Sequence, residues 1–203
     1  MLTRKERAQA TRRRIVESAL AAFTERGYAT TTMESVAADA GVAVQTVYFT
    51  FHTKGDLLQA AYEHVVLGPE RIPPYLSAWW RAVEAEPDVI AAVRALVEGT
   101  LEVVARAAPL VWAVLGDDTA REGYEFNERL RRDGNEALVQ ILVGKHALLA
   151  GLPPDRARDV LLVLTGPVLY SHLTRDMGWS HSEVQEWAVA TVGQQLFGLE
   201  AAE

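Results

Sequence analysis

Apolar side chains recur every three or four positions through most of the chain, which is the spacing of residues that share one face of an α-helix. The first such stripe predicts an amphipathic helix over about residues 7–26 that ends at Gly27. Its apolar members are Ile15, Val16, Ala19, Leu20 and Phe23. The sequence shows no strand-like alternation of apolar and polar residues, so the pattern predicts an all-α protein.

Three shorter helices are predicted after the first one. Thr31 and Glu34 stand three positions apart, as a capping box requires, and predict the start of the first of them. Gly41 ends it, because glycine adopts the left-handed conformation without a steric penalty. The next two helices are predicted over about residues 43–50 and 54–66. Two short helices around a tight turn indicate a helix-turn-helix, whose second helix enters the major groove of DNA.

The rest of the chain is helical in pattern and is divided by glycine and proline. Gly68-Pro69 and Pro73-Pro74 break the helical pattern and predict two domains, residues 1–67 and 68–203. Pro109 is predicted to begin a short helix of its own. Four helices are predicted at about residues 75–86, 88–107, 110–115 and 119–149. A further helix is predicted to begin after a cap at Asp155 and to be broken at Gly166-Pro167. The last helix is predicted to begin at a capping box formed by Ser180 and Glu183.

The region from Thr31 to Leu58 resembles the DNA-binding domain of TetR-type transcriptional repressors. The matching stretches are Thr-Thr-Met-Glu-Ser-Val-Ala, Ala-Gly-Val, Thr46-Val47-Tyr48, Phe51 and Thr53-Lys54-Gly55-Asp56-Leu57-Leu58. Ala43 departs from the family, which usually has Ser or Thr there as a helix cap. The DNA-binding residues that the resemblance and the residue chemistry imply are Thr32, Val44, Gln45, Thr46, Tyr48, Phe49 and Lys54.

The charge distribution fits a protein that contacts phosphate with one end. The net charge of −7 argues against a general nucleic-acid binder, but residues 1–68 carry +1 and residues 69–203 carry −8. The basic residues at the front are Arg4, Lys5, Arg7, Arg12, Arg13 and Arg14. A solvated N-terminus is the alternative interpretation of this cluster.

The sequence lacks the motifs that are typical of several other classes of protein. The absence of cysteine excludes disulfides, thiolate zinc sites and cysteine nucleophiles. The five histidines lack metal-binding spacing, and no phosphate-binding or dinucleotide-binding glycine motif occurs. We therefore expect no metal, no cofactor and no enzymatic activity. No apolar run has the length of a membrane span, so the predicted location is the cytoplasm, with no membrane partner.

The aromatic residues of the second predicted domain are candidates for a ligand pocket. Aromatic side chains with a few polar groups line such cavities, although the same residues also build ordinary cores. The predicted ligand-binding residues are Trp79, Trp112, Phe126, Asn127 and Tyr170.

The end of the chain also resembles TetR-type proteins, in Gly166-Pro167-Val168-Leu169-Tyr170 and in the entry to the last helix at Gly178-Trp179-Ser180. In that family the last two helices form a dimer interface. The resemblance and the apolar stripe of the last helix imply an interface that contains Val184, Trp187, Ala188, Thr191 and Leu196.

The resulting expectation is a homodimeric repressor with an N-terminal three-helix DNA-binding domain and a C-terminal helical domain for ligand binding and dimerisation. It binds a palindromic operator of double-stranded DNA and is released by a small, largely apolar or aromatic effector. One alternative is a regulator of the same fold without a small-molecule ligand, or an activator. Another is an α-helical enzyme or carrier whose helix-turn-helix is only a packing unit.

Overall fold

A computed structural model describes residues 3–199, which form ten α-helices and no β-strand. The all-α prediction is therefore confirmed. The helices are α1 (Arg4–Arg26), α2 (Met33–Asp39), α3 (Val44–Thr50), α4 (Lys54–Leu67), α5 (Ala78–Ala85), α6 (Val89–Val114), α7 (Arg121–Val143), α8 (Pro154–Leu164), α9 (Pro167–Ser171) and α10 (His181–Phe197). Short 3-10 turns precede α5 and α7 at Pro74–Leu76 and Asp118–Ala120, and a π-helical turn, His172–Asp176, follows α9.

The capping box of α2 lies one residue later than predicted. Thr32, and not Thr31, is the cap: its Oγ1 accepts a hydrogen bond from the Ser35 amide at 3.1 Å, and Ser35 Oγ accepts one from the Thr32 amide at 3.2 Å. The Thr31 side chain is buried and donates its hydroxyl proton to the carbonyl of Gly27 at 2.8 Å. Two adjacent threonines made the sequence prediction ambiguous, and burial of the first decides between them.

The prediction that Pro109 starts a separate helix is wrong. Helix α6 passes through Pro109 without interruption from Val89 to Val114. Proline removes one helical hydrogen bond at this point, but the apolar residues on both sides, Val104 and Leu110 among them, are buried. Their burial outweighs the cost of the proline and keeps the helix continuous.

Helix α7 ends at Val143, well before the predicted end near residue 149. The amide of Leu149 donates instead to the carbonyl of Leu196 in α10 at 2.7 Å, so this stretch connects helices and does not extend one. The predicted cap at Asp155 is also wrong, because Pro153 holds the cap position and Pro154 is the first residue of α8.

The break at Gly166-Pro167 is confirmed, since α8 ends at Leu164 and α9 begins at Pro167. The amide of Gly166 turns to the carbonyl of Val163, which leaves the carbonyl of Leu162 without its helical partner. Arg131 of α7 replaces that partner, with Nη1 donating to the Leu162 oxygen at 2.7 Å.

The described residues divide into two compact units. The first contains the chain up to Val65 together with Pro109–Phe126, and the second contains Val66–Ala108 and the chain from Asn127 onwards. The first unit buries Ile15, Phe23, Leu57, Leu58 and Leu110, and the second buries Leu96, Leu101, Leu142, Leu161 and Leu196. The division into domains at residues 67 and 68 stays a prediction.

Candidate functional site

Helix α3 packs on the rest of the first unit through one fully buried residue and exposes an uncharged face. Val47 is its only fully buried side chain, while Gln45, Tyr48 and Phe49 are exposed, Phe49 to 84%. These three lie three and four positions apart and therefore share one face of the helix. Val44 and Thr46 are half-buried beside it. The helix has no charged residue, and its cap position, Ala43, makes no side-chain hydrogen bond.

The hydroxyl of Tyr48 is held by an acidic residue of the neighbouring helix. It donates to Glu34 Oε1 at 3.1 Å, and both side chains are exposed. This hydrogen bond raises the pKa of Tyr48, while hydrogen bonds from its own backbone amide and from Tyr48 lower the pKa of Glu34. Glu34 thus fixes the direction in which Tyr48 presents its hydroxyl, a role that the sequence prediction missed because it assigned Glu34 to a helix cap.

The other two predicted phosphate contacts lie at helix starts. Thr32 is exposed as the cap of α2, and Lys54 is the first residue of α4. The ammonium nitrogen of Lys54 lies 4.1 Å from the centre of the Tyr28 ring and donates to the carbonyl oxygen of Ala29 at 3.3 Å. Partial burial lowers the pKa of Lys54, and the charge of Asp117 acts in the opposite direction.

The basic residues of α1 belong to the same unit, and one of them, Arg12, lies at the end of α3. The guanidinium carbon of Arg12 stands 5.1 Å from the centre of the Phe51 ring, at the end of α3. Arg13 faces Glu17 one turn further along, with 3.5 Å between nitrogen and oxygen. All seven predicted DNA-binding residues therefore belong to one compact unit, on α3 and at the starts of α2 and α4. Their contacts with DNA stay a prediction.

Residues 15–61 match the family model described as bacterial regulatory proteins of the tetR family. The helix-turn-helix of this chain belongs to the TetR family. The HTH-type transcriptional regulator TtgR of Pseudomonas putida is 46% identical over 56 residues, which are 28% of this chain and 27% of TtgR. The chain thus matches about a quarter of the length of this curated relative.

Solved structures share the fold over nearly the whole chain. NalD, the secondary repressor of the MexAB-OprM multidrug efflux pump in Pseudomonas aeruginosa, is 21% identical with a TM-score of 0.71, and the alignment covers 95% of this chain and 98% of NalD. SmeT, the repressor of the Stenotrophomonas maltophilia efflux pump SmeDEF, is 22% identical with a TM-score of 0.66 over 93% and 91% of the two chains. A complex of SmeT with triclosan gives 20% identity and a TM-score of 0.68, over 93% and 92%. The TetR-type helix-turn-helix and these relatives, which are transcriptional regulators, agree with the prediction that the chain is not an enzyme.

The five predicted ligand-binding residues fall into different units of the structure. Trp112 and Phe126 belong to the first unit and are 39% and 43% exposed, whereas Trp79, Asn127 and Tyr170 belong to the second. The binding of a ligand by these five residues stays a prediction.

Two of the three residues in the second unit have clear structural roles. Trp79 packs flat against α6, so closely that a Cβ at Gly99 would lie 2.2 Å from its Cγ. Tyr170 shares a hydrogen bond of 2.9 Å with His181 Nδ1. Burial raises the pKa of Tyr170, with a smaller contribution from the charge of Glu102. These contacts explain both aromatic residues without a ligand.

Three of the five predicted interface residues lie in the core of the second unit. Val184, Ala188 and Leu196 are at most 1% exposed and pack against helices of their own chain. Only Trp187 and Thr191 keep partly exposed side chains, and the Thr191 hydroxyl donates to the Trp187 carbonyl at 2.7 Å. The apolar stripe of α10 therefore marks the face that covers the core. A periodic stripe indicates burial, but it does not show whether the covering surface is the chain itself or a second copy.

Within residues 3–199 no three acidic or histidine side chains come together as a metal site requires. In the same range, none of the helices combines the length and the apolar character of a membrane crossing.

Proposed function

We propose that the chain is a transcriptional repressor that binds a palindromic operator as a homodimer and releases it when a small effector binds. The observation that carries the proposal is the TetR-type helix-turn-helix over residues 15–61, whose helix α3 exposes Gln45, Tyr48 and Phe49 on one face. The repressor functions of NalD and SmeT, which share the fold, support the same function.

The base-reading chemistry of α3 is apolar and amide-based. Gln45 can form two hydrogen bonds with adenine in the major groove, and Phe49 and Val44 can contact thymine methyl groups. The proposed operator therefore contains A·T pairs in each half-site. Because helix-turn-helix dimers bind half-sites one helical turn apart, we place the two recognition helices about 34–36 Å apart.

In this proposal, contacts with the phosphate backbone of DNA supply most of the affinity for the operator. Thr32, Tyr48 and Lys54 contact phosphate, since Thr32 and Lys54 stand at helix starts, where amide groups favour an anion. The exposed arginines of α1 extend this surface. With no charged residue on α3, the salt dependence of binding comes from the neighbouring elements.

The homodimer is proposed to form through exposed residues of α8, α9 and α10. Val163 and Val168 are 62% and 42% exposed, although they are apolar, and they lie on either side of the helix break. Trp187 and Thr191 provide the partly exposed positions of α10. The remaining members of the predicted interface serve the core of their own chain.

The effector is proposed to be small and largely apolar or aromatic, as the contacts available from Trp112 and Phe126 suggest. The complex of SmeT with triclosan supports this class of compound. An effector that weakens operator binding must itself bind the operator complex more weakly, by the same factor.

Selection of bound DNA from a random pool tests operator binding. We expect a palindromic sequence to emerge, and Gln45→Ala to lose about 1–3 kcal/mol at one position of each half-site. Gln194→Ala, at an exposed position of α10, removes the same side chain and should leave the affinity unchanged. Failure to enrich any sequence would refute the proposal and favour a carrier function.

Release of the operator by an effector is tested first with triclosan and then with a panel of other apolar compounds. An effector should quench tryptophan fluorescence and dissociate the operator complex. Trp112→Ala should bind the operator as the parent does but lose the response, whereas Trp179→Ala should respond normally. An operator complex that none of the compounds dissociates would favour the alternative of a regulator without a small-molecule ligand.

A further inference from the structure

A hydrogen bond joins the recognition helix to the helix before it. The Tyr48 hydroxyl of α3 donates to Glu34 Oε1 of α2 at 3.1 Å, across 14 positions of the sequence. Both helices are anchored in the core of the first unit, since Val36 of α2 and Val47 of α3 are fully buried. The two bonded side chains are exposed, Tyr48 to 43%, so the bond lies on the exposed face of α3. The fold therefore brings a carboxylate to a residue that the proposed function assigns to DNA.

The Tyr48 hydroxyl has one proton, for which a carboxylate and a phosphate would compete. A tyrosine hydroxyl donates a single hydrogen bond, whereas an ionised carboxylate and a DNA phosphate can only accept. Hydrogen bonds from its own backbone amide and from Tyr48 lower the pKa of Glu34, so Glu34 is ionised at neutral pH. Glu34 and a phosphate group cannot both receive the proton, and their negative charges repel each other when both lie next to the same hydroxyl.

We propose that Glu34 is an internal competitor of the DNA backbone, which holds the Tyr48 hydroxyl in the free chain and so lowers the affinity for DNA of any sequence. The inference rests on the proposed function, because it takes Tyr48 as a phosphate contact. Phosphate groups carry no sequence information, so the competition acts on operator and on random DNA alike. Binding requires the Tyr48 hydroxyl to turn from Glu34 to phosphate, and base contacts in the operator offset this cost. Glu34 acts through Tyr48 and is a positioning residue.

Glu34→Asp tests the competition without changing the net charge. The side chain of aspartate is shorter by one C–C bond, about 1.5 Å, which takes the carboxylate out of hydrogen-bonding reach of a hydroxyl that now lies 3.1 Å away. We expect the affinity for operator and for random DNA to rise by the same factor, about twofold to tenfold for each bound subunit, which is the net effect of one hydrogen bond. The matched control is Glu25→Asp at an exposed position of α1, which should leave DNA affinity unchanged.

A loss of affinity in Glu34→Asp would overturn the proposal, because it would show that Glu34 presents Tyr48 to DNA and does not withhold it. An unchanged affinity would also overturn it, since the bond would then not limit the phosphate contact of Tyr48. An equal gain in Glu25→Asp would show a general effect of a shorter acidic side chain, with the same consequence.

Tyr48→Phe tests whether the effect passes through the hydroxyl, because it removes that group and keeps the ring. In this background Glu34→Asp should change DNA affinity by less than a factor of about 1.5, since the proton for which Glu34 competes is gone. A gain as large as in the parent background would show that Glu34 acts on DNA directly, and it would overturn the proposal.

The bond can also be followed without DNA, by nuclear magnetic resonance of the full chain with isotope label at the tyrosine Cζ atoms. The Tyr48 signal is assigned by its absence from the Tyr48→Phe spectrum. Because the Cζ shift responds to the hydrogen bond of the hydroxyl, Glu34→Asp should move the Tyr48 signal and leave those of the other tyrosines in place. A Tyr48 signal that does not move would overturn the proposal. A moved signal in a chain that selects no DNA from a random pool would establish the bond but refute the proposed function, on which the inference depends.

Discussion

Replacement of Gly99 by alanine tests the packing of Trp79 on α6. The added Cβ would lie 2.2 Å from Trp79 Cγ and 2.6 Å from its Cβ, atoms near the base of the side chain that rotation of the ring cannot clear. The tryptophan and α5, which carries it, must therefore move. Overpacking of this kind costs about 1–3 kcal/mol, and we expect the upper half of that range here.

Alanine also stabilises a helix relative to glycine, by about 1 kcal/mol. The net loss at Gly99 should therefore be about 1–2 kcal/mol. Gly134 of α7 provides the matched control, because it lies within a helix and a Cβ there would meet nothing within 4 Å. Gly134→Ala should show the gain alone, about 0.5–1 kcal/mol. The same chemical change is thus expected to have opposite signs at two positions.

The assay is urea unfolding followed by circular dichroism and by tryptophan fluorescence, at one fixed protein concentration, since association shifts the apparent stability. Gly99→Ala should lower the midpoint, and Gly134→Ala should raise it. A Gly99→Ala protein as stable as Gly134→Ala would refute the account of Trp79 as a residue held by close packing. It would also restore the interpretation of Trp79 as a ligand contact.

Two further substitutions test the last helix and the recognition helix. Leu196→Ala should cost about 2–5 kcal/mol of unfolding free energy, because the side chain is fully buried in its own chain, and a thermal melt that shows only dissociation would contradict this. Ala43→Ser should add a cap to α3 and stabilise the chain by about 0.5–2 kcal/mol in urea unfolding, and no gain would mean that the serine hydroxyl does not reach the helix amides.

The helix-turn-helix could be predicted closely because its signals are local. The helical spacing and Gly41 act within one turn of the chain. So does the cap of α4, where the Thr53 amide donates to Asp56 Oδ2 at 3.1 Å and the Asp56 amide donates to Thr53 Oγ1 at 3.0 Å. Errors arose where a local signal was overruled by packing, as at Pro109, or where two neighbouring residues offered the same signal, as at Thr31 and Thr32.

The candidate site was predictable only in part, because side-chain contacts depend on residues far apart in sequence. Nothing near Lys54 in the sequence indicates that its ammonium group lies over the Tyr28 ring, and nothing near Tyr48 indicates its bond to Glu34. The inward stripe of α10 was assigned to a partner chain for the same reason: the sequence shows which residues avoid water, but not which surface covers them.

The inward stripe of α10 has a consequence for the order of assembly. A helix that packs its apolar residues on its own chain gives the single chain a complete core, so folding does not have to wait for a second copy. In the proposed homodimer, two chains that are each already folded would then associate. If the proposed operator carries two half-sites, binding of one chain to each would raise their local concentration, and the DNA itself would promote association of the pair.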